Sequence, residues 1–191
     1  MRMDLPVKLF KDASSWEAWL STHFSSSPGV YLRVAKKGSG KQTVTYQDAV
    51  ETALCYGWID GLKKPFDENF WLQRFTPRGP KSIWSKINRT KALALIDAGR
   101  MQPSGFASIE KAKEHRRWDS AYDSHSTAAP SAEFQAELDL HPNAREFFAT
   151  LNSQNRYAIL VRIQTAHTEK TRRKRIDQFI AMLEHHETLY R

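Results

Sequence analysis

An α+β fold is predicted for this 191-residue chain, a small antiparallel sheet flanked by helices up to about residue 123 and a helical C-terminal module after it. Three observations predict it. Val30–Ala35 alternates apolar and polar residues between turn formers at Pro28-Gly29 and Gly38-Ser39-Gly40, the pattern of a half-buried strand. Two more strand-like runs, 58–63 and 70–75, stand a turn's length apart. From Ser82 onward the apolar spacing becomes helical, most plainly at Ile176, Phe179, Ile180 and Leu183, which should dock one face of a helix on its neighbours.

Taken in order, residues 14–24 read as a short helix, since Ser14 and Glu17 have capping-box spacing and Trp16, Trp19 and Leu20 share one side. Gln42-Thr43-Val44 is expected to return beside Val30–Ala35 as a hairpin partner. Thr45 and Asp48 form a second capping pattern, opening a helix through Val50, Ala53 and Leu54 that stops near Gly57. Strands follow at 58–63 and 70–75. Ser82 is expected to cap a helix that carries Ile83, Ile87, Leu93 and Ile96 and stops at Gly99, and a further helix covers 104–118.

Residues 123–131 are small and polar without periodicity, a linker composition. They separate a first domain, 1–123, from a helical module, 131–191, in which helices are expected at 131–140, at 143–166 with Asn152-Ser153 as a point of breakage, and at 168–187.

Hydrophobic residues at 40% and charged residues at 26% exclude wholesale disorder. The first eight residues lack the apolar run of a secretory signal, and no stretch approaches the roughly 18 apolar residues of a membrane span. A cytoplasmic location without a membrane partner is expected. Cys55 is the single cysteine, so no internal disulfide can form, which fits a reducing compartment; its expected role is a small buried residue on a helix.

The formal charge of +8 is unevenly spread: residues 67–118 carry 11 basic and 5 acidic side chains, whereas residues 119–191 carry 9 and 10. A basic midsection attracts anions of every kind, and charge alone does not choose among them.

Several chemistries find no support. Gly38-Ser39-Gly40-Lys41 resembles part of a phosphate-binding loop, but Ala35 stands where that motif needs Gly and Gln42 where it needs Ser or Thr. A hairpin turn is the better reading. The seven histidines have no metal-site spacing, there is no cysteine pair, and no serine sits in a Gly-x-Ser-x-Gly elbow. No metal, cofactor or covalent mechanism is implied. The basic run Lys170, Arg172, Arg173, Lys174 and Arg175 falls in the first turns of the last helix, where the macrodipole disfavours cations, so acidic neighbours such as Glu137, Asp139 or Glu146 are expected to offset it.

The candidate site lies between Gly57 and Asn88, where Trp58, Trp71 and Trp84 are interleaved with Asp60, Gln73, Arg74, Arg78, Ser82 and Lys86. Large aromatics with a few polar groups are what a ligand pocket requires. If 58–63 and 70–75 pair as a hairpin with Leu62 across from Leu72, Asp60 faces Arg74; one residue of slip sets it against Gln73. A cross-strand ion pair that merely holds the hairpin is the structural alternative. A helix capped by Ser82 would aim its first N–H groups outward amid Arg78, Lys81 and Lys86, favouring a phosphate- or carboxylate-sized anion walled by Trp58, Trp71 or Trp84.

Four blocks stand out in the first part of the chain: Thr45-Tyr46-Gln47-Asp48-Ala49-Val50, Cys55-Tyr56-Gly57-Trp58-Ile59-Asp60-Gly61, Gln73-Arg74-Phe75-Thr76-Pro77-Arg78 and Ser82-Ile83-Trp84-Ser85-Lys86-Ile87-Asn88. Two more, Asn155-Arg156-Tyr157-Ala158 and Thr171-Arg172-Arg173-Lys174-Arg175-Ile176, lie in the tail. Together they resemble the YdeI/OmpD-associated family of bacterial and fungal proteins. The resemblance implies a link to bacteriocin or stress protection and supplies no catalytic residues. It also makes the arginine-rich 171–176 stretch part of a C-terminal helical module.

The leading expectation is a cytoplasmic binding protein whose central pocket holds a small anion, with Arg74 and Arg78 neutralising charge, the tryptophans as walls and Asp60 orienting Arg74 or the ligand. An enzyme using Asp60 as general base with Arg78 at a developing oxyanion is the alternative from another class, weakened because an Asp beside an Arg is a poor base near neutral pH. Nucleic-acid binding through the basic midsection is the third.

Overall fold

The computed structural model describes residues 5–190. Its elements sort into two compact units, Met1–Ser82 with Thr90–Lys111, and Ile83–Arg89 with Ala112–Arg191. The division runs through a helix at Lys111, upstream of the 123–131 segment.

Among the described residues the first unit is built on a four-stranded sheet of order β1-β2-β4-β3, with β1 at Val7–Lys8, β2 at Val30–Ala35, β3 at Trp58–Pro65 and β4 at Phe70–Pro77. β1 runs parallel to β2, and the other neighbours pair antiparallel, so the sheet is mixed. Opposed residues share a face. Val30, Leu32 and Val34 therefore lie with Phe75, Gln73 and Trp71 on one face, and Tyr31 and Arg33 lie with Arg74 and Leu72 on the other.

Helix α1 (Ala13–His23) and helix α2 (Tyr46–Cys55) pack on the first of these faces. The Trp16 ring meets Phe75 at 5.6 Å and Trp58 at 6.4 Å, and its Nε1 donates to the Ala49 carbonyl at 3.1 Å. Trp58 Nε1 donates to the Phe24 carbonyl at 3.0 Å. Both indoles are buried with their polar atoms satisfied, and each large apolar side chain so placed contributes roughly 1.5–3 kcal/mol.

The cap of α1 is Asp12 rather than Ser14. Its carboxylate accepts from Ser15 N–H at 2.8 Å, Ser15 reciprocates toward the Asp12 N–H, and the cap lies two residues earlier than the Ser14–Glu17 spacing predicts. Thr45 caps α2 as expected, accepting from Asp48 N–H at 3.1 Å. Gln42-Thr43-Val44 forms no strand. Gly38 and Gly40, at φ +84° and +65°, swing the chain aside, Thr43 Oγ1 accepts the Ala35 N–H at 2.9 Å, and β4 takes the ladder beside β2.

The β3–β4 hairpin forms, in neither register considered from sequence. Asp60 is opposite Phe75, and Lys63 is opposite Gln73. Between these pairs Gly61 and Leu62 together oppose Arg74, a bulge that adds one residue to β3. Asp67 closes the turn, its carboxylate accepting from the N–H groups of Asn69 and Phe70 at 2.8 Å each.

Helix α3 is Lys86–Asp97 and α4 is Pro103–Glu114. The cap of α3 is Ser85, whose Oγ accepts the Asn88 N–H at 3.1 Å; Ser82 instead serves a turn, accepting the Gly79 N–H at 3.0 Å. Gly99, at φ +67°, ends the turn after α3, as the sequence predicts. Within the first unit Lys91 Nζ meets the Glu51 carboxylate at 2.5 Å.

The second unit contains α5 (Ala132–Leu140), α6 (Pro142–Thr150), α7 (Ser153–Gln164) and α8 (Glu169–Glu184). The long helical stretch breaks at Asn152, which caps α7 by accepting the Asn155 N–H at 2.9 Å. Phe134, Leu138, Ile159, Ile163, Ile176 and Leu183 fill the core. The cations at the start of α8 do find acidic partners on α5: Arg172 bonds Glu133 at 2.9 Å and Arg173 bonds Glu137 at 2.6 Å.

Candidate functional site

Trp71 is the second residue of β4, on the face that α1 and α2 pack against but near the sheet's end, and is half-buried. The Tyr46 ring, at the start of α2, stands 5.8 Å from it. The Lys63 ammonium lies 4.2 Å from the centre of the indole, a cation–π arrangement. Lys63 belongs to the edge strand β3, and the bulge at Gly61-Leu62 sets which of its residues share Trp71's face.

An open cleft of about 640 Å³ lies at this end, lined by Lys36, Lys37, Lys63, Lys64, Pro65 and Trp71. Lys36 and Lys37 follow the last residue of β2, and Lys64 follows Lys63 in β3. Lys36 Nζ donates to the Asp67 carbonyl at 2.7 Å. Among the described residues no carboxylate lies within ion-pair reach of any of the four ammoniums. Lysines without a carboxylate partner beside an indole favour an anion by Coulomb attraction, and the ring offers it a flat apolar wall.

The nine residues singled out from sequence do not gather here. Trp58 is 1% exposed and Trp84 2%, so both indoles serve their units' cores rather than an open hollow. Asp60, half-buried, accepts from the Tyr46 hydroxyl at 2.8 Å. No Asp60–Arg74 pair exists among the described contacts, because opposed residues share a face and Asp60 opposes Phe75. Gln73, buried, donates to the Gly61 carbonyl at 2.8 Å. Arg74 lies on the sheet face opposite Trp71, against Gly61. Arg78 donates its N–H to the Gly57 carbonyl at 3.0 Å. Ser82 belongs to the same unit, whereas Trp84 and Lys86 belong to the second.

In that second unit Lys86 is neutralised: its ammonium meets the Asp123 carboxylate at 2.7 Å, and Gln164 donates to the other carboxylate oxygen at 2.7 Å. The ammonium, with Gln164 in a lesser part, holds the Asp123 carboxyl below the usual carboxylate range against the opposing effect of burial. Cys55 is buried, and burial pushes its thiol up, away from the thiolate that a nucleophile needs.

Sequence reasoning missed the four lysines. The signal was present as two Lys-Lys pairs, one just after β2 and one within β3. Such pairs otherwise read as solvated edge charges, and only the register sets Lys63 on Trp71's face.

No helix among the described residues is long and apolar enough to cross a membrane. A family model described as a domain of unknown function (DUF8412) matches residues 8–108, and one described as bacteriocin-protection, YdeI or OmpD-associated matches residues 127–186. The blocks between Thr45 and Asn88 fall in the first match, and those at 155–158 and 171–176 fall in the second. No curated protein and no solved structure matches the chain.

Proposed function

The chain belongs to a family of domains of unknown function through residues 8–108 and to the bacteriocin-protection, YdeI or OmpD-associated family through residues 127–186; on that premise we propose that it is a cytoplasmic binding protein of a protective or stress type that holds a small anionic ligand in the Trp71 cleft. The observation that carries this reading is the Lys63–Trp71 contact at 4.2 Å inside a cleft also lined by Lys36, Lys37 and Lys64, none of which has a carboxylate within ion-pair reach among the described residues. The ammoniums neutralise the anion, and the indole stacks on whatever flat group it bears. The cytoplasmic assignment draws on a single, buried cysteine, which has no disulfide partner within the chain.

Differential scanning fluorimetry with orthophosphate, pyrophosphate and uridine monophosphate, with uridine as the uncharged control, tests it. A ligand at about 100 times its Kd adds about 2.7 kcal/mol to the folded state, or a rise of several degrees in Tm. The rise should be largest for the nucleotide and absent for uridine, and Lys63→Glu should abolish it. If none of the three anions moves the wild-type Tm, the reading fails.

A further inference from the structure

We propose that the physiological ligand is single-stranded nucleic acid, whose chain runs from the Trp71 cleft around the edge strand onto the sheet face that carries Arg74; this rests on the anion-binding reading and names its ligand class. The contacts on that second face include cation–aromatic pairs made by the sheet and the β3–β4 turn. Arg33 lies 4.4 Å from the Phe70 ring centre and 5.2 Å from that of Phe66. Lys64 lies 5.0 Å from the Tyr31 ring centre. Tyr31 stands opposite Arg74, while Arg33 and Lys64 both stand opposite Leu72, so register alone puts these groups on one surface.

Charge on this surface is poorly compensated. Arg33 has an Asp67 oxygen at 3.9 Å as its ion-pair partner, and Arg74, with its Nε lacking a hydrogen bond, has no carboxylate within ion-pair reach among the described residues. Phe66 is 48% exposed and Tyr31 half-buried, so ring faces remain available.

The spacing argues for a polymer. Arg74, beside Tyr31, and Phe70 are four residues apart on β4, about 13 Å at 3.3 Å per residue. One phosphate or one nucleotide cannot touch both ends of that row and the Trp71 cleft. A flexible strand of phosphates and bases can, with cations along its backbone and bases on aromatic rings, the combination by which single strands are held without sequence reading. A duplex hides its base faces, and a polyanion without rings would have no use for Tyr31 and Phe66.

Fluorescence anisotropy with the full chain and a labelled dT12 strand tests this, beside uridine monophosphate, a 12-base-pair duplex and heparin as competitors. Binding of dT12 should be at least tenfold tighter than binding of the mononucleotide. Its log affinity should fall with log salt at a slope of about −2 or steeper, about −0.7 for each of at least three phosphates. Tyr31→Ala and Phe66→Ala should each weaken dT12 at least fivefold, and Tyr31→Phe should bind as wild type; Phe66 is exposed, so its removal leaves folding intact. Arg74→Gln should weaken binding and flatten the salt slope while leaving nucleotide stabilisation at the Trp71 cleft unchanged.

If the mononucleotide stabilises the protein but dT12 binds no more tightly, this inference fails and the small-anion reading stands. If heparin or duplex competes as strongly as dT12 and the aromatic variants bind normally, the face is a general polyanion surface and the inference fails. If neither dT12 nor any small anion binds, both readings fall.

Discussion

The Arg74 side chain lies against Gly61: a Cβ built on the glycine would stand 3.0 Å from both Nε and one terminal nitrogen of the guanidinium. The close approach coincides with the bulge in which Gly61 and Leu62 oppose Arg74, and with the Gly61 carbonyl accepting from Gln73. Glycine is therefore used for space rather than for an unusual φ. Gly61→Ala should move the flexible guanidinium and change stability by less than about 1 kcal/mol, since the lost chain entropy of glycine is recovered. At Gly105 a Cβ would run into the Cys55 carbonyl and the Met101 sulfur, both held by packed backbone or core. Gly105→Ala should cost about 2–4 kcal/mol as an overpacked contact against backbone. Urea unfolding of the two variants checks the contrast, and equal losses would contradict it.

The Lys86–Asp123–Gln164 group gives the second unit a defined response to acid. Because the native carboxyl of Asp123 is held below its unfolded value, mainly by the Lys86 ammonium, the unfolded state binds more protons in the interval between the two. Stability from this group is complete above about pH 4, the ordinary carboxylate value, and is lost as pH falls through the lowered native value. Asp123→Asn should lower the urea midpoint at pH 7 and show a shallower decline on acidification than wild type. The difference between the two curves removes the parallel contributions of Asp12 and Glu137, whose carboxyls are also lowered, by Ser15 and by Arg173. Parallel curves down to pH 2 would exclude the assignment.

What the sequence disclosed follows from how local each signal is. The bounds of β2 were legible because six residues, alternately buried and half-buried, stand between glycine-containing turns. The Thr45 cap and the break at Asn152 were legible for the same reason, since each is a side chain bonding three residues onward. The hairpin register was not, because the bulge depends on Arg74 finding room at Gly61 and on Gln73 reaching its carbonyl. The tryptophans misled for a related reason: whether an indole is wall or core is decided by what packs on it, and Trp58 meets Trp16 and Trp19 from α1. The cleft lysines were spread over two parts of the chain as ordinary lysine pairs, and composition does not say which of them meets Trp71.

Asn155 is the buried side chain through which the described C-terminal end is tied to α7. It is 2% exposed, donates from Nδ2 to the Tyr190 carbonyl at 3.0 Å, and accepts the Tyr190 N–H at 2.9 Å. This pairing imitates one rung of a β-ladder with an amide side chain, and a second Nδ2 bond reaches Asn152 Oδ1 at 3.2 Å. Asn155→Leu keeps much of the volume but leaves the Tyr190 amide and carbonyl without these partners. Losing partners for buried polar groups costs about 1–3 kcal/mol each, less where water can reach them, as it can at 41% exposed Tyr190. The expected net loss is about 2 kcal/mol, with the Tyr190 amide exchanging much faster while the core amides of Ile159 and Ile163 slow or speed only with global stability. Hydrogen exchange resolved to single residues measures both, and an unchanged Tyr190 rate would show that this segment is held by something other than Asn155.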